Sequence, residues 1–373
     1  MQDIIGKSKS LLDTPCLVID KKLLVSNIEA MQFEVNAAHK NLRPHAKTHK
    51  CTQICQQQID AGAIGICVTK VSEAVVLAEK RFKNTLITSP VVTPIKIEKL
   101  LQCLIEDSQL TVAIDNLENA TVLNSSAKNS NLIINVLIDI DPGIGRTGIS
   151  YDNVLEFART LTQFSHLKLT GIQCYAGNLQ HIQDYQTRYK TSFETMKKAA
   201  ICVKQLKEAG FNCDILTGSG TGTYDIDMQI LEVTEIQPGS YTVMDAEYYA
   251  IGSKENAHQN KKYQPALTLL TTVISVNQQS HVTCDAGWKA LYEVPTKPII
   301  LKPNGYKYDW GGFGDEHGKI TAINNTKLPQ LGDRLELMVA HCDPTINMYD
   351  YFYITENDIV VDVWPIDMRG RSQ

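Results

Sequence analysis

The first candidate for chemistry is a cluster of basic side chains near the amino terminus, Arg43-Pro44-His45-Ala46-Lys47-Thr48-His49-Lys50. A lysine among other cations has its ammonium form disfavoured, so its free amine becomes available for Schiff-base chemistry. Pro44 and its β-favouring neighbours predict the end of a strand rather than a flexible loop. A solvated basic loop is the alternative that a charge run usually indicates, and this stretch alone leaves that alternative open.

A second candidate is the glycine-rich stretch Thr217-Gly218-Ser219-Gly220-Thr221-Gly222-Thr223, which follows an apolar segment. Glycines allow backbone N–H groups to approach an anion, and the hydroxyls add donors. A flexible turn has the same composition, so the stretch by itself is a weak indication. Gly239-Ser240-Tyr241 follows the next apolar segment and is the natural second half of the same anion site.

An arginine follows another strongly apolar segment, within Asp141-Pro142-Gly143-Ile144-Gly145-Arg146-Thr147-Gly148. A planar guanidinium binds a carboxylate by a two-pronged contact that lysine cannot reproduce. Arg146 is therefore a candidate ligand for an anionic substrate or cofactor. An internal salt bridge with Asp139 or Asp141 is the alternative, and the residues themselves do not decide between the two.

A tyrosine and a histidine lie close together in Gln173-Cys174-Tyr175-Ala176-Gly177-Asn178-Leu179-Gln180-His181. We predict that Tyr175 lies at a strand end and that His181 starts the next helix. An unperturbed histidine titrates near neutrality and can carry protons. The alternative for His181 is a surface histidine that caps the helix, and the spacing leaves both interpretations open.

A histidine and an aspartate two residues apart, His341 and Asp343, could bind a metal. If this segment is extended, both side chains point to one side and Cys342 points to the other. An imidazole and a carboxylate on one side form a plausible divalent-metal pair, with substrate and water completing the shell. Two ligands remain a weak indication, because most His-x-Asp pairs bind nothing.

The elements that must position these side chains alternate between strands and helices. The strand candidates are 42–46, 63–68, 85–88, 110–114, 132–139, 167–175, 213–217 and 231–236. Helical segments are predicted at 21–39, 52–61, 72–81, 94–105, 117–128, 153–162 and 185–209. Eight strands that alternate with helices over about 230 residues predict a (β/α)₈ barrel of the TIM type rather than an open doubly wound sheet.

A barrel would bring several of the candidates together, because residues at the carboxyl ends of its strands face the active site. Lys47 follows the first strand, Arg146 the fifth, Tyr175 the sixth and Ser219 the seventh. Four polar side chains therefore converge on one rim. The glycine-rich stretch also follows the strand after which barrels often bind phosphate, which favours an anion site over a plain turn.

The pattern changes after about residue 250. Short segments separated by Gly, Pro and Asn turns predict a β-rich domain without crossover helices. Its strand candidates are 266–276, 281–285, 297–301, 319–323, 334–339, 349–354 and 359–364, and an isolated first strand is predicted at 11–19. We place a barrel domain at 21–249 and a β-rich domain at 1–20 together with 250–373.

Composition excludes several classes of function. A formal net charge of −5 provides no basic surface for nucleic acid and no reason to expect membrane binding. No apolar run is long enough to span a bilayer, and residues 1–9 lack the apolar centre of a secretory signal. Ten scattered cysteines predict free buried thiols in a reducing cytosol. We therefore expect a cytoplasmic protein.

Together these motifs resemble the D-threonine aldolase and D-serine dehydratase family, whose members are pyridoxal-phosphate (PLP) enzymes of the alanine racemase-like fold type. The resemblance covers nearly the whole chain, at 13–20, 43–50, 141–148, 173–181, 217–224, 238–241 and 341–350. It implies that the first strand joins the carboxyl-terminal β domain. It also implies a homodimer with a small D-amino acid as its substrate.

The resemblance implies a role for each candidate. Lys47 would carry PLP covalently, His181 would be the catalytic base, and Arg146 and Tyr175 would lie at the cofactor. We assign the phosphate to a set of loop residues: Gly218, Ser219, Gly220, Thr221, Gly239 and Tyr241. His341 and Asp343 match the metal segment of the aldolases. The related eukaryotic D-serine dehydratases carry cysteine at the second ligand position and use zinc, whereas a carboxylate oxygen favours manganese or magnesium.

The resulting hypothesis is a PLP- and metal-dependent lyase that cleaves D-3-hydroxy amino acids to glycine and an aldehyde. The first alternative is a D-serine or D-threo-3-hydroxyaspartate dehydratase that uses the same side chains and releases a 2-oxo acid and ammonia. The second is a non-catalytic PLP carrier built on the same barrel. Such carriers typically lack the β domain and the metal pair that this sequence predicts.

Overall fold

The structure, a computed structural model, describes residues 2–324 and 326–373. The chain divides into two compact units. The barrel unit comprises Ala30–Lys47, Ile54–Gly239 and Gly370–Gln373. The β unit comprises Met1–Glu29, Thr48–Gln53 and Ser240–Arg369.

A sheet of eight parallel strands forms the barrel unit. Strand β1 (Cys16–Asp20) belongs to the β unit, and the barrel strands are β2 (Asn41–Leu42), β3 (Cys67–Val68), β4 (Leu86–Ile87), β5 (Thr111–Ile114), β6 (Ile134–Ile140), β7 (Leu167–Cys174), β8 (Ile215–Gly218) and β9 (Glu235–Ile236). Their order is β2-β9-β8-β7-β6-β5-β4-β3. Backbone hydrogen bonds of 2.8 Å from Ala46 N–H to the Cys67 carbonyl and from Cys67 N–H to the Pro44 carbonyl connect the first strand segment to β3. This architecture confirms the predicted fold class.

The helices follow from apolar periodicity and end signals. They are α1 (Lys21–Ala37), α2 (Thr52–Asp60), α3 (Val71–Glu79), α4 (Pro94–Glu106), α5 (Leu117–Asn129), α6 (Val154–Leu161), α7 (Tyr185–Glu208) and α8 (Tyr224–Asp227), with α9 (Ala246–Ala250) and α10 (Cys342–Ile346) in the β unit. In α4, Ile97, Leu100 and Leu104 recur at helical spacing and are buried. Asn116 starts α5 by accepting hydrogen bonds from two backbone N–H groups of its first turn.

The β unit contains a mixed sheet. Its remaining strands are β10 (Leu267–Ser275), β11 (Val282–Cys284), β12 (Ile299–Lys302), β13 (Tyr306–Asp309), β14 (Gly318–Ala322), β15 (Arg334–Met338), β16 (Tyr351–Glu356) and β17 (Ile359–Pro365). Strand β1 pairs antiparallel with β10 and parallel with β16, which confirms that the first strand joins this domain. The strand starts at Cys16 rather than at residue 11, because Lys9–Leu11 forms a 3₁₀ helix. The sequence pattern did not predict β13.

Two further findings agree with the composition. All ten cysteines lie in the described part of the chain, and each is a buried free thiol, as predicted. Among the residues that the structure describes, no helix has both the length and the apolar character needed to cross a bilayer.

A buried ion pair joins the first and last strands of the barrel unit. Arg43, directly after β2, donates to both carboxylate oxygens of Glu235 on β9, at 3.0 and 2.8 Å. The same guanidinium donates to the carbonyl and side-chain oxygens of Asn84, each at 3.0 Å. Both charged side chains are at most 5% exposed. Because each charge is desolvated, each depends on its partner.

We expect the variant E235L to lower the free energy of unfolding by about 3–5 kcal/mol, because it leaves the Arg43 guanidinium buried without its counter-charge. Urea denaturation followed by circular dichroism would measure the change. The matched control is E156A, which removes the exposed partner of Arg159 in α6 and should cost less than about 1 kcal/mol. Equal losses for the two variants would contradict the structural role of the buried pair.

Candidate active site

The basic stretch is not a solvated loop. Every residue from Arg43 to Lys50 is buried except Lys47, which is half-buried. Lys47 lies in a turn directly after the strand segment that pairs with β3, as the sequence predicted. Its backbone N–H donates to Nδ1 of His45 at 3.3 Å, and Nε2 of His45 lies 3.1 Å from the Thr88 hydroxyl. The turn that carries the lysine is therefore held by a buried imidazole.

A buried polar network lies at the carboxyl ends of the neighbouring strands β6, β7 and β8. Gln173 on β7 donates to Asp139 on β6 at 2.9 Å and to the Thr88 carbonyl at 2.9 Å. Thr147 donates to the other carboxylate oxygen of Asp139 at 2.8 Å. Gln237, just after β9, donates to Thr217 on β8 at 3.0 Å. The strand register, which pairs Asp139 with Gln173 and Gln173 with Thr217, brings these groups together.

Sequence reasoning missed the role of this network. The sequence pattern indicates Asp139 only as a possible salt-bridge partner of Arg146, and it assigns no role to Gln173. The available signal was a polar residue near the end of three successive apolar strands, at positions that face one another in a parallel sheet.

Arg146 contacts an aromatic ring instead of a carboxylate. Its guanidinium carbon lies 5.5 Å from the centre of the Tyr175 ring, and the arginine side chain is exposed. Asp141 instead accepts hydrogen bonds from the backbone N–H groups of its own loop, including Gly143 at 2.9 Å and Ile144 at 2.8 Å. Among the described residues Arg146 has no salt bridge to Asp139 or Asp141. An exposed guanidinium over a tyrosine ring can bind an incoming anion.

His181 lies in a turn rather than at the start of a helix. A short 3₁₀ helix, Gly177–Leu179, follows Tyr175, and α7 begins four residues after His181 at Tyr185. Asp184, not the histidine, accepts the N-terminal hydrogen bond of α7. The predicted position at the helix start, and the helix-capping alternative with it, was therefore wrong. The exposed side chain can exchange protons with solvent.

The glycine-rich stretch has the shape of an anion cradle. It begins where β8 ends at Gly218, and Ser219 has φ +69°, a left-handed conformation that turns successive N–H groups toward one side. A Cβ at Gly218 would lie 2.0 Å from the Cys174 carbonyl oxygen, so only glycine fits there. Burial raises the pKa of Asp227 to about 6, and the nearby Ser219 hydroxyl only partly opposes that shift. Among the described residues, this buried hydroxyl has no hydrogen-bond partner at standard geometry. A buried hydroxyl in such a turn fits a phosphate ligand.

The two residues predicted as the second half of this cradle belong to different units. Gly239 is the last residue of its segment in the barrel unit, whereas Tyr241 belongs to the β unit. Tyr241 is completely buried, and its ring lies edge-on to the ring of Tyr263 with 5.6 Å between centroids.

His341 and Asp343 lie at the start of a helix in the β unit. Helix α10 begins at Cys342, and His341 is its N-terminal cap residue. The segment is therefore not extended throughout, and the argument that placed both side chains on one side of a strand does not hold. Both side chains are half-buried.

Two acidic residues orient His341. Its Nδ1 lies 3.1 Å from a carboxylate oxygen of Asp245 and 3.3 Å from one of Glu247. Burial lowers the pKa of His341, but the hydrogen bond and the charges of Asp245, Asp343 and Glu247 outweigh that effect and raise it. Asp245 is completely buried, accepts from Cys342 N–H at 3.0 Å, and caps α9 through Tyr248 N–H at 2.9 Å. Sequence reasoning missed both acids, whose only signal is an Asp-x-Glu run after the last barrel strand.

This arrangement fits a divalent cation with an incomplete protein shell. With carboxylates on Nδ1, the other ring nitrogen, Nε2, would be the one available to hold a metal, as in the carboxylate–histidine–metal arrangements of many sites. Across residues 2–324 and 326–373, no group of three or more His, Cys, Asp or Glu side chains is arranged to hold a metal ion. A two-residue site would therefore leave several positions for substrate and water.

Comparisons with known proteins extend over both units. Residues 19–247 match the family model for the alanine racemase N-terminal domain, and residues 266–355 match a putative serine dehydratase domain. The chain is 34% identical to the D-threonine aldolase of Arthrobacter sp, over 99% of this chain and 96% of that protein. The chain belongs to the D-threonine aldolase and D-serine dehydratase family.

Two further family members support the same assignment. The 3-hydroxy-D-aspartate aldolase of Paracoccus denitrificans (strain Pd 1222) is 31% identical over 98% of this chain and 95% of that protein. The D-threonine aldolase of Filomicrobium marinum, whose crystal structure is known, is 30% identical in sequence to this chain. The two structures superpose with a TM-score of 0.92 over 99% of this chain and 98% of that one. The chain is thus a lyase of a PLP-dependent family, as its motifs implied.

The pH dependence of stability should reveal the buried Asp139. Burial raises its pKa to about 6, and the hydrogen bonds from Gln173 and Thr147 only partly oppose that shift. The carboxyl group ionises more readily in the unfolded chain, so the contribution of Asp139 to stability falls as the pH rises from about 4 to about 6. We expect the free energy of unfolding of D139N, relative to the wild type, to increase over that interval by up to about 3 kcal/mol.

Urea denaturation at half-unit pH steps would measure this difference. D184N is the opposite-sign control, because hydrogen bonds from the side chain and backbone of Thr187 lower the pKa of Asp184. A D139N difference that stays constant from pH 4 to pH 7 would show that the Asp139 carboxyl is not buried as described.

Proposed function

We propose that this lyase is a PLP- and divalent-metal-dependent D-threonine aldolase-like enzyme that cleaves D-3-hydroxy amino acids to glycine and an aldehyde. The observation that carries the proposal is the pair His341 and Asp343, with its histidine held by the buried carboxylate of Asp245, in a chain that matches an aldolase over nearly its full length. In this proposal, residues 21–249 bind PLP, and residues 1–20 with 250–373 carry the metal ligands.

The barrel unit supplies the cofactor site of this proposal. Lys47 would bond to PLP through Nζ, from a turn that the buried His45 holds in place. Arg146 and Tyr175, which contact each other, would lie at the cofactor or at the substrate carboxylate. The phosphate ligands would be Gly218, Ser219, Gly220, Thr221, Gly239 and Tyr241. When bound, PLP supplies an electron sink for the bonds at the substrate Cα.

The β unit supplies the metal site. His341 and Asp343 would bind the cation, and Asp245 and Glu247 would fix the imidazole. A bound divalent cation lowers the pKa of a coordinated hydroxyl, here the substrate 3-hydroxyl. An imidazole and a carboxylate, without a thiolate, favour manganese or magnesium over zinc.

The side chains of the protein would then handle protons and orientation. His181 accepts the proton of the substrate 3-hydroxyl, directly or through water, and its exposed turn allows that proton to leave to solvent. Arg146 binds the substrate carboxylate and so orients the bond between Cα and Cβ for cleavage. Separate residues thus bind the substrate, activate its hydroxyl and remove its proton.

One observation favours a second candidate, because residues 266–355 match a putative serine dehydratase domain. A D-serine or D-threo-3-hydroxyaspartate dehydratase would use the same site, with the Lys47 amine removing the Cα proton and the 3-hydroxyl leaving. Its products are a 2-oxo acid and ammonia. The cytoplasmic location expected from composition and the homodimer that the resemblance implies also belong to the proposal. Sedimentation of the purified protein would test the dimer.

Product analysis should separate the two reactions. With PLP and manganese present, we expect D-threonine to yield glycine and acetaldehyde in equal amounts, with no 2-oxo acid. EDTA should lower the rate at least tenfold, because it removes the metal that acts as a Lewis acid on the 3-hydroxyl, and added manganese should restore the rate. L-Threonine is the control substrate. A 2-oxo acid as the main product would favour the dehydratase, and no product from D-threonine or D-serine would rule out both reactions.

The absorption spectrum should identify the lysine that binds PLP. We expect K47A to lack the visible Schiff-base band of the purified protein and to lose activity by several orders of magnitude. The matched control is K50A, which changes the other lysine of the same stretch and should retain the band. Loss of the band in K50A but not in K47A would contradict the assignment.

A further inference from the structure

A buried glutamine lies between two loops of the barrel unit. Gln180 directly precedes His181 and is 1% exposed. Its backbone belongs to the segment after β7 that also carries Tyr175. Its side chain reaches the glycine-rich stretch after β8, which the proposed function assigns to the cofactor phosphate.

Both N–H donors and the carbonyl oxygen of the Gln180 side-chain amide have partners. Its Nε2 donates to the Ala176 carbonyl at 3.1 Å, within its own loop, and to Oγ1 of Thr223 at 3.0 Å. Its Oε1 accepts from Gly222 N–H at 3.0 Å. Because every donor and acceptor is satisfied in a buried site, removing the side chain would leave buried groups of the other loop unpaired.

A buried carboxylate fixes the direction of these hydrogen bonds. Thr223 donates its hydroxyl proton to Asp227 at 2.9 Å, and Ser192 on α7 donates to the other oxygen of the same carboxylate at 2.7 Å. An ionised carboxylate can only accept, so the Thr223 oxygen must accept from Gln180. The amide orientation of Gln180 follows, with its oxygen toward Gly222.

The glycines of the loop are shaped to the same side chain. A Cβ at position 220 would lie 2.5 Å from Oε1 of Gln180, and one at position 222 would lie 2.1 Å from the Gln180 carbonyl oxygen. The two loops therefore interlock at backbone distance. Gln180 leaves no room for a side chain at positions 220 and 222. Ser219 and Thr221 alternate with these glycines along the loop.

We propose that Gln180 is a positioning residue that holds the glycine-rich loop in the conformation that receives the cofactor phosphate. The proposal rests on the assignment of that loop to the PLP phosphate. Gln180 contributes to affinity for the phosphate rather than for the pyridine ring, since its partners all belong to the loop or to its own turn. Gln180 also connects the glycine-rich loop to the backbone of His181, so it links the position of the cofactor phosphate to that of the proposed base.

The test compares two cofactor forms that differ only in the phosphate. Full-length protein freed of cofactor is titrated with PLP and with pyridoxal, and bound cofactor is followed by its absorbance. We expect Q180A to raise the dissociation constant for PLP about tenfold and to change that for pyridoxal by less than about twofold. T223V, which removes the hydroxyl between Gln180 and Asp227, should show the same selective loss, and T223S should restore wild-type affinity.

Controls separate this inference from the proposed function. Q183A changes an exposed glutamine three residues away and should leave both dissociation constants unchanged. Equal weakening of PLP and pyridoxal in Q180A would overturn the positioning role, as would wild-type PLP affinity in both Q180A and T223V. If the wild-type protein binds PLP no more tightly than pyridoxal, the phosphate assignment itself fails and the inference falls with it. Should Q180A not fold, the T223V and T223S pair carries the test.

Discussion

A buried carboxylate can only accept hydrogen bonds, and this constraint organises several segments that carry proposed functional residues. An ionised group without water needs several donors, and those donors must come from fixed positions in the fold. Asp139, Asp227 and Asp245 are all at most 4% exposed, and each accepts from at least two groups on different segments, which for Asp245 are Cys342 N–H and Tyr248 N–H. Each acid therefore fixes the relative position of the segments that supply its donors.

The segments that these three acids hold carry, or adjoin, residues to which we assign a role in binding or catalysis. Asp139 binds Thr147, the neighbour of Arg146, and Gln173, two residues before Tyr175. Asp227 binds the hydroxyl at the end of the glycine-rich loop. Asp245 binds the imidazole of His341 and the first N–H of α10. Loops that would otherwise vary in conformation thus gain the precision of the strands and helices that carry the acids.

The sequence predicted the barrel because its signals are local. Apolar strands, helical periods and end signals recur in each strand–helix pair of about 25 residues. They located every barrel strand and helices α1 to α7 within a few residues. The pairing of β1 with β10 and β16 spans most of the chain and has no local signal. Only the family resemblance implied that this strand joins the β domain, and it did not name the partner strands. The position of Lys47, just after the first strand, followed from the predicted barrel topology.

The supporting shell of the site was not predictable by these means. Asp245, Glu247 and Gln180 act through partners distant in sequence or on another loop, and no spacing rule connects an Asp-x-Glu run to a histidine about 95 residues later. The His-x-Asp pair was read with strand periodicity, but α10 begins inside it, since the run Cys342-Asp343-Pro344 places proline early in a helix, where its missing N–H costs nothing. Periodicity arguments fail at such transitions between elements.

The structure also bears on the choice of metal, through the residue between the two proposed ligands. Cys342 is the soft ligand that would draw zinc to this segment, but its side chain is completely buried and its S–H donates to the Met244 carbonyl at 3.2 Å. A thiol in that bond is protonated, whereas a metal ligand must be a thiolate. The groups that remain are an imidazole and a carboxylate, with water or a substrate hydroxyl to complete the shell. In the proposed metal site, Asp343 would supply a carboxylate oxygen, the kind of ligand that manganese and magnesium prefer, and Cys342 would supply none.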